Sequence, residues 1–346
     1  MFFFIIAVYF ITMRCILRKE TDPYFNLAAE EYVFKHFADD TFMLWRNDPS
    51  VIVGKHQNTF AEINHQFVNE KGIKVVRRIS GGGTVYHDHG NLNFTFTSRA
   101  EHNQLVDFNK YNRVIVSVLG KLGIDVLTGP RNSLYIGGKK ISGNAEHVYK
   151  DKVLHHGTLL FNSNIENLQN AIKPANLSYD DKAVKSINSQ VVNITDSLKT
   201  SLTIEEFAEF IIAEMLKMDS EAHLYAFTPE DIRQINLLKE EKYTTWEWNY
   251  GYSPIFNLST TFQTGNQPFK VSITVRNGTI DYIDSSNHEP IAEEYHKLIN
   301  ILMSTRLKET DIASKLKQHY SEEQIQSVIQ SLFVGDNAEH LNNNYV

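Results

Sequence analysis

Three consecutive glycines, Gly81-Gly82-Gly83, stand between a pair of arginines and a run of strand-forming residues, and no other stretch constrains the chain as much. Ile73-Lys74-Val75-Val76 leads into Arg77-Arg78-Ile79-Ser80. Thr84-Val85-Tyr86, followed by Asn91-Leu92-Asn93-Phe94-Thr95-Phe96, leads out with β-branched and aromatic residues in alternation. The segment therefore predicts strand, glycine loop, strand. With no Cβ on three successive residues the backbone can pass through positive φ, approach a ligand closely and aim several N–H groups at one anion. Arg77 and Arg78 add permanent charge and a forked donor suited to carboxylate or phosphate. Three glycines alone suit a tight β-hairpin equally well, but a solvated turn has no use for two arginines and Ser80 at its entrance. The stretch is not a P-loop, since no Lys-Ser or Lys-Thr follows and a strand comes next, and it is not a dinucleotide fingerprint.

The rest of the chain sets the bounds within which such a cradle must work. A sequence of 346 residues, 42% of them hydrophobic, can bury a large core and predicts two domains more readily than one. A formal charge of −7 without a long Lys/Arg run excludes a protein that binds nucleic acid by neutralising phosphates. One cysteine, Cys15, excludes an intramolecular disulfide and a Cys-rich metal site, and fits a reducing compartment such as the cytoplasm. Residues 1–12 are apolar but too few for a membrane span of roughly 20, and they lack the flanks of a signal peptide. They are expected to be an added or mis-assigned start, the functional chain beginning near Met13; an extra strand or an interfacial anchor are the alternatives.

From Met13 on, strands and helices alternate. Ile16-Leu17 predicts a short strand, and 21–34 a helix with Pro23 in its first turn. Residues 42–45 and 51–53 predict strands joined by the turn Asn47-Asp48-Pro49-Ser50, and 61–71 a helix closed by Gly72. Helical spacing recurs over 110–122. The class is α+β, or α/β with a mixed sheet. Thr203-Ile204-Glu205-Glu206 reads as a capping box and Thr228-Pro229-Glu230-Asp231 as another helix start. Trp246 and Trp248 alternate as strand residues would. Punctuation around Gly251 and Pro254 divides the chain into a larger domain, 13–253, and a C-terminal domain, 254–346. In the latter Asn277-Gly278 signals a type I′ hairpin, with helices near 291–303, 311–320 and 322–333.

Two further stretches carry chemistry. In Gly137-Gly138-Lys139-Lys140-Ile141-Ser142-Gly143-Asn144-Ala145, two lysines sit at a hairpin-like turn among small residues, either as a solvated face or with one of them as a charge clamp. In His155-His156-Gly157-Thr158-Leu159-Leu160 the adjacent histidines point to opposite faces of a strand, so they do not share a metal, and a packed or hydrogen-bonded role is expected.

Taken with Asp22-Pro23-Tyr24-Phe25-Asn26-Leu27-Ala28 and Trp246-Glu247-Trp248-Asn249-Tyr250-Gly251, these stretches resemble, in order and spacing, lipoate–protein ligases of the single-chain bacterial type. The resemblance covers 13–346. It implies a biotin/lipoate ligase-like catalytic domain and a smaller accessory domain. It also implies activation of lipoate by ATP to lipoyl-AMP with release of pyrophosphate, then transfer to a lysine of lipoyl domains in 2-oxoacid dehydrogenase complexes or of the glycine-cleavage H protein. By position in the motifs, Arg78 corresponds to an arginine that binds nucleotide and acyl-adenylate, and Gly83, Thr84, Val85 and Tyr86 to a segment lining ATP. Lys140 corresponds to the family's essential lysine and Asn132 to a polar position near the adenylate. Leu27, Trp45, His87 and His156, with Arg78 and Lys140, match positions around the lipoate tail and carbonyl. Mg²⁺ is expected with the ATP phosphates; Ser133 stands where many relatives carry an acidic residue, so its ligands go unnamed.

Three other readings compete. An octanoyl or lipoyl acyltransferase working through a cysteine thioester needs a thiolate in the pocket, and Cys15 lies far in sequence from the glycine loop. A biotin ligase is expected to alternate Arg and Gly in its loop, from which 77–83 departs. A non-catalytic lipoate- or nucleotide-binding module has no need of Arg78 and Lys140 together.

Overall fold

A computed structural model of the chain describes residues 13–99, 107–172, 177–263, 268–285 and 293–335. The expectation for residues 1–12 lies outside them. In chain order the elements are β1 (Met13–Leu17), α1 (Pro23–His36), β2 (Asp40–Trp45), β3 (Ser50–Val53), α2 (Thr59–Glu62), α3 (His65–Glu70), β4 (Lys74–Arg77), β5 (Val85–His87), β6 (Asn91–Arg99), α4 (Phe108–Lys121), β7 (Leu127–Thr128), β8 (Leu134–Ile136), β9 (Lys139–Ser142), β10 (Asn144–Tyr149) and β11 (Lys152–Leu160). There follow α5 (Ile165–Ala171), β12 (Ser178–Asp181), α6 (Ile204–Met218), β13 (His223–Leu224), α7 (Pro229–Leu238), β14 (Phe256–Phe262), β15 (Phe269–Arg276), β16 (Thr279–Asp284), α8 (Glu293–Leu302), α9 (Glu309–Leu316) and α10 (Glu322–Phe333).

The central sheet runs β10-β11-β6-β2-β1-β13, parallel from β2 through β1 to β13 and antiparallel elsewhere. Helices cover both faces, which is why Phe42-Met43-Leu44-Trp45 reads as an unbroken apolar run rather than an alternating one. Phe42 and Leu44 face α4 and α6, packing with Ile115, Leu119, Phe207 and Ile211. Met43 and Trp45 face α1, packing with Leu27, Ala28 and Phe34. Each such side chain removed from water contributes roughly 1.5–3 kcal/mol. Helix α1 starts where Asp22 accepts a hydrogen bond from the Tyr24 N–H and Pro23 fills the first turn without needing an acceptor.

The glycine stretch belongs to a second, three-stranded sheet, β4-β3-β5. Strands β4 and β5 flank β3 and do not pair with each other, so the triplet is no hairpin turn; it spans the width of β3. Nor are β2 and β3 a hairpin: they belong to different sheets. The single helix expected over 61–71 is two, because Asn64 accepts a bond from the Phe67 N–H and so caps a fresh helix after Ile63. Trp246 and Trp248 lie not on a strand but around a wide, π-helical turn, Glu247–Gly251, which follows another at Lys239–Tyr243. Side chains stabilise these wide turns: Thr245 Oγ1 donates to the Lys242 carbonyl, and Asn249 Nδ2 to that of Tyr243.

After Gly251, β14, β15 and β16 form an antiparallel sheet with Asn277 and Gly278 both at positive φ in the turn (49° and 68°), as the hairpin signal predicts. Helices α8, α9 and α10 close its core around Phe256, Ile273, Leu298 and Val328. This sheet takes its edge strand, β12, from residues far upstream. Residues 291–292 of the expected helix over 291–303 lie outside those described. Among the described residues no helix is long and apolar enough to cross a membrane.

Candidate functional site

Successive residues at the end of β4 point to opposite sides, and this separates the two arginines. Arg77 is wholly buried. Its guanidinium donates to the carbonyls of Gly54, Lys55, Gln57, Trp248 and Asn249 and to Thr59 Oγ1 and Ser253 Oγ, all within 2.6–3.1 Å. Arg78 faces the other way, into a cavity of 490 Å³. Its Nε donates to Ser80 Oγ (3.0 Å), Nη1 to the Ile52 carbonyl (3.0 Å), and Nη2 to the carbonyls of Gly81 (2.6 Å) and Gly83 (2.8 Å). Burial brings both guanidinium groups down to about 10. The glycine loop thus turns carbonyls toward its own arginine. Gly82 sits at φ +90°, and its carbonyl comes so near Gly54 that a Cβ there would stand 2.1 Å from the oxygen.

Leu27, Trp45 and Ile52 form an apolar end of this cavity, and Gly83, Thr84 and Val85 run along its side. Lys140 enters from β9, across the turn Gly137-Gly138. Its backbone is pinned by a bond from its N–H to the Gln190 carbonyl (2.8 Å) and one from the Val192 N–H to its own carbonyl (3.1 Å). Its side chain reaches over Gly143, where a Cβ would lie 3.3 Å from Nζ. Among the described residues the ammonium has no hydrogen bond and no ion pair. Burial lowers its pKa, and Arg131 adds to the shift. Lys139, by contrast, is exposed.

His87 and His156 also line the cavity. Asn26 Nδ2 donates to Asn47 Oδ1 (3.0 Å), which turns Asn47 Nδ2 toward His87 Nδ1 (3.0 Å). His87 therefore carries its proton on Nε2, an atom with no partner among the described residues. Burial first, then the charge of Arg78, push its pKa down to about 3, so the ring is a neutral donor. His156 lies between Glu30 and Ser80, its Nδ1 2.7 Å from Glu30 Oε1 and its Nε2 2.6 Å from Ser80 Oγ. His155 points to the opposite face, stacked on Tyr111 and Phe94 and bonded to Glu146 at 2.9 Å.

Two expected site residues stand elsewhere. The Tyr86 ring packs with Val51, Val53 and Val68 on the far side of β5, because strand alternation sends Val85 and His87 inward and Tyr86 outward. Asn132 does not line the cavity; its carbonyl is held by Asn112 Nδ2 (2.7 Å) and Asn144 Nδ2 (2.6 Å) in a left-handed turn. The structure also brings in residues that sequence reasoning passed over. Residues 184–189 form a strap over the cavity. Ser186 Oγ accepts from the Thr84 N–H (2.8 Å) and Gln57 Nε2 (3.1 Å) and donates to Glu62. Nothing but its small polar residues marked that segment.

Arg78, Arg131, Lys140 and Lys185 line the cavity and no Asp or Glu does, so its charge opposes the chain's net negative balance. Such a site can bring two anions together, one in a polar channel and one with an apolar tail. Among the described residues no group of three or more His, Cys, Asp or Glu is placed to hold a metal ion.

Residues 22–216 match the family described as the lipoyl protein ligase A/B catalytic domain. The chain is 40% identical to the lipoate-protein ligase LplJ of Bacillus subtilis over 242 residues, 69% of this chain and 73% of that one. A bipartite lipoate protein ligase from Thermoplasma acidophilum, studied with its E2 lipoyl domain, superposes with a TM-score of 0.60 at 25% identity, covering 70% of this chain and 97% of that one. A lipoate-protein ligase A bound with ATP superposes at 0.59 and 25% identity, covering 70% and 99%.

Proposed function

The chain belongs to the lipoyl protein ligase A/B family, and on that premise we propose that it is an ATP-dependent lipoate–protein ligase working in the cavity between Arg78 and Lys140. The observation that carries the assignment of the site is Lys140: a half-buried ammonium with no partner among the described residues, opposite Arg78, in a cavity without a carboxylate. Leaving a cation unpaired costs stability, and the cost is met when two anions occupy the same space. In the first half-reaction a lipoate carboxylate oxygen attacks the α-phosphorus of ATP, and the bond to pyrophosphate breaks. Lys140 and Arg78 offset the repulsion between carboxylate and phosphate, more strongly as charge gathers at the α-phosphate than in the separated anions. Leu27, Trp45 and Ile52 take the apolar tail, and the neutral Nε2–H of His87 is a donor for the carboxyl oxygen.

In the second half-reaction a neutral lysine amine of the acceptor attacks the mixed-anhydride carbonyl, and AMP leaves with its bonding electrons. No enzyme nucleophile is needed. Cys15 cannot serve as one: it is buried beside Phe42 and Leu44 and does not line the cavity, and burial pushes its thiol up to about 11. The acceptors are lipoyl domains of 2-oxoacid dehydrogenase complexes or the glycine-cleavage H protein, presenting that lysine at the mouth under the strap. The donor set does not fit a resident Mg²⁺, since no carboxylate lines the cavity; Mg²⁺ fits here as an ion carried in on the ATP phosphates, with its own waters. Residues 254–346 act as an accessory domain of a cytoplasmic enzyme.

Lipoate-dependent exchange of labelled pyrophosphate into ATP tests this. Wild type is expected to exchange and Lys140→Ala to lose at least about 100-fold. Absence of exchange, with direct transfer from an octanoylated carrier protein instead, would sink the reading.

A further inference from the structure

Glu30 does not line the cavity, yet it is buried behind it on α1, one turn from Leu27. From it a chain of hydrogen bonds runs forward to Arg78: Glu30 Oε1 to His156 Nδ1 at 2.7 Å, His156 Nε2 to Ser80 Oγ at 2.6 Å, and Arg78 Nε to Ser80 Oγ at 3.0 Å. All four residues are at most 8% exposed. The direction of each bond is fixed from both ends by groups that can only donate. At one end Trp45 Nε1 donates to Thr95 Oγ1 (2.9 Å), so the single Thr95 proton goes to Glu30 Oε1 (2.7 Å), and that oxygen is an acceptor. At the other end Arg78 Nε donates to Ser80 Oγ. The Ser80 proton then turns to His156 Nε2 at 2.6 Å in preference to the Gly81 carbonyl at 3.4 Å. Between these ends His156 must accept at Nε2 and donate from Nδ1 to Glu30.

We propose that Glu30 is a positioning residue for Arg78, holding His156 as the Nδ1–H tautomer so that the Ser80 proton is held toward His156 Nε2 and the Ser80 lone pairs face the Arg78 guanidinium and keep it aimed into the cavity. Ser80 itself does not line the cavity, so the Glu–His–Ser order serves orientation, with no nucleophile at its end. Where Arg77 is locked by seven bonds on every side, Arg78 has its Nε held by Ser80 and its Nη2 held only by the loop that a ligand would displace. The chain from Glu30, together with the Nη1 bond to the Ile52 carbonyl on β3, is what remains to fix it at that moment.

The kinetic part of this inference rests on the ligase reading, and two measurements separate them. In unliganded protein with ring-¹⁵N histidine, His156 is expected to be protonated at Nδ1 alone, with a slowly exchanging Arg78 Nε–H. Glu30→Gln and Ser80→Ala should each remove that protection; if Glu30→Gln does not fold, His156→Phe should do the same. A His156 ring protonated at Nε2, or Arg78 protection untouched by these changes, overturns the proposal whatever the enzyme's activity. In pyrophosphate exchange, Glu30→Gln and Ser80→Ala should each lower kcat about tenfold, and the double variant no further. Penalties that multiply would mean that Glu30 acts independently of Ser80, and would equally overturn it. A wild type inactive in exchange would count against the ligase reading and leave the ring-nitrogen result to decide this one.

Discussion

Arg77 and Arg78 are the same residue, adjacent, both buried and both without a carboxylate partner, yet they serve two regions of the molecule. Arg77 is caged by backbone carbonyls and hydroxyls from 54–59 and from the π-helical turn that leads into the C-terminal sheet. It joins three segments that are distant in sequence. Arg78 bonds chiefly to its own glycine loop, so its acceptors can move with a ligand. The difference teaches that a buried cation is structural when its acceptors are fixed by other elements, and left facing a cavity when they belong mostly to its own loop.

Substitution should separate the two faces. Arg77→Met leaves seven acceptors without their donor and is expected to cost about 4 kcal/mol or more, lowering Tm by on the order of 10 °C or preventing folding altogether. Arg78→Met should cost less than half of that in Tm while lowering pyrophosphate exchange about 100-fold or more. Equal losses of stability from the two would erase the contrast. Lys140→Met sharpens it further: exchange should fall at least as far, while Tm holds or rises slightly, because an unpaired cation has been removed from a half-buried site. Ser186→Ala unties the strap from Thr84, Gln57 and Glu62, and a several-fold rise in KM for ATP with a smaller change in kcat is expected from steady-state kinetics.

The smallest effect concerns acid. His65 is buried between Phe60 and Phe333, with a pKa brought down to about 4 by burial. Below the unfolded value of 6.5 the unfolded chain takes a proton that the folded one refuses, so stability falls as pH drops from 6.5 toward 4. His65→Phe should flatten that limb by on the order of 2 kcal/mol in urea titrations at pH 7 and pH 4.5, leaving exchange untouched.

The elements that depend on local chemistry were legible: the capping box at Thr203, the helix start at Thr228, the Asn277-Gly278 turn, the alternation on β11 that parts His155 from His156. What was not legible is pairing at a distance. Nothing in Trp45-Arg46-Asn47-Asp48-Pro49-Ser50 says that the strands on either side join different sheets. Trp246 and Trp248 alternate as strand residues do, and only the bonds from Thr245 and Asn249 wind them into a wide turn. In the candidate site, Arg78 and Lys140 were singled out by residue type and His87 and His156 through the family resemblance, and all four line one cavity, while Tyr86, expected beside them, lies on the far side of β5 by one step of strand alternation. Glu30 and Ser186 carried no signal, because each matters through what it bonds across more than a hundred residues of chain, to His156 in one case and to Glu62 in the other.

Strand β12 has a consequence for synthesis. Among the described strands it pairs with β14 alone, about eighty residues downstream, and it lies immediately before the strap that roofs the cavity. A nascent chain can therefore assemble β4, β5 and the glycine triplet early and tie the roof to Thr84, Gln57 and Glu62 through Ser186, but β12, just upstream of the roof, has no strand to pair with until residues 256–259 have left the ribosome. Until then the cover is tied on the cradle side, through Ser186 and Val184, while the strand edge upstream of it stays unpaired.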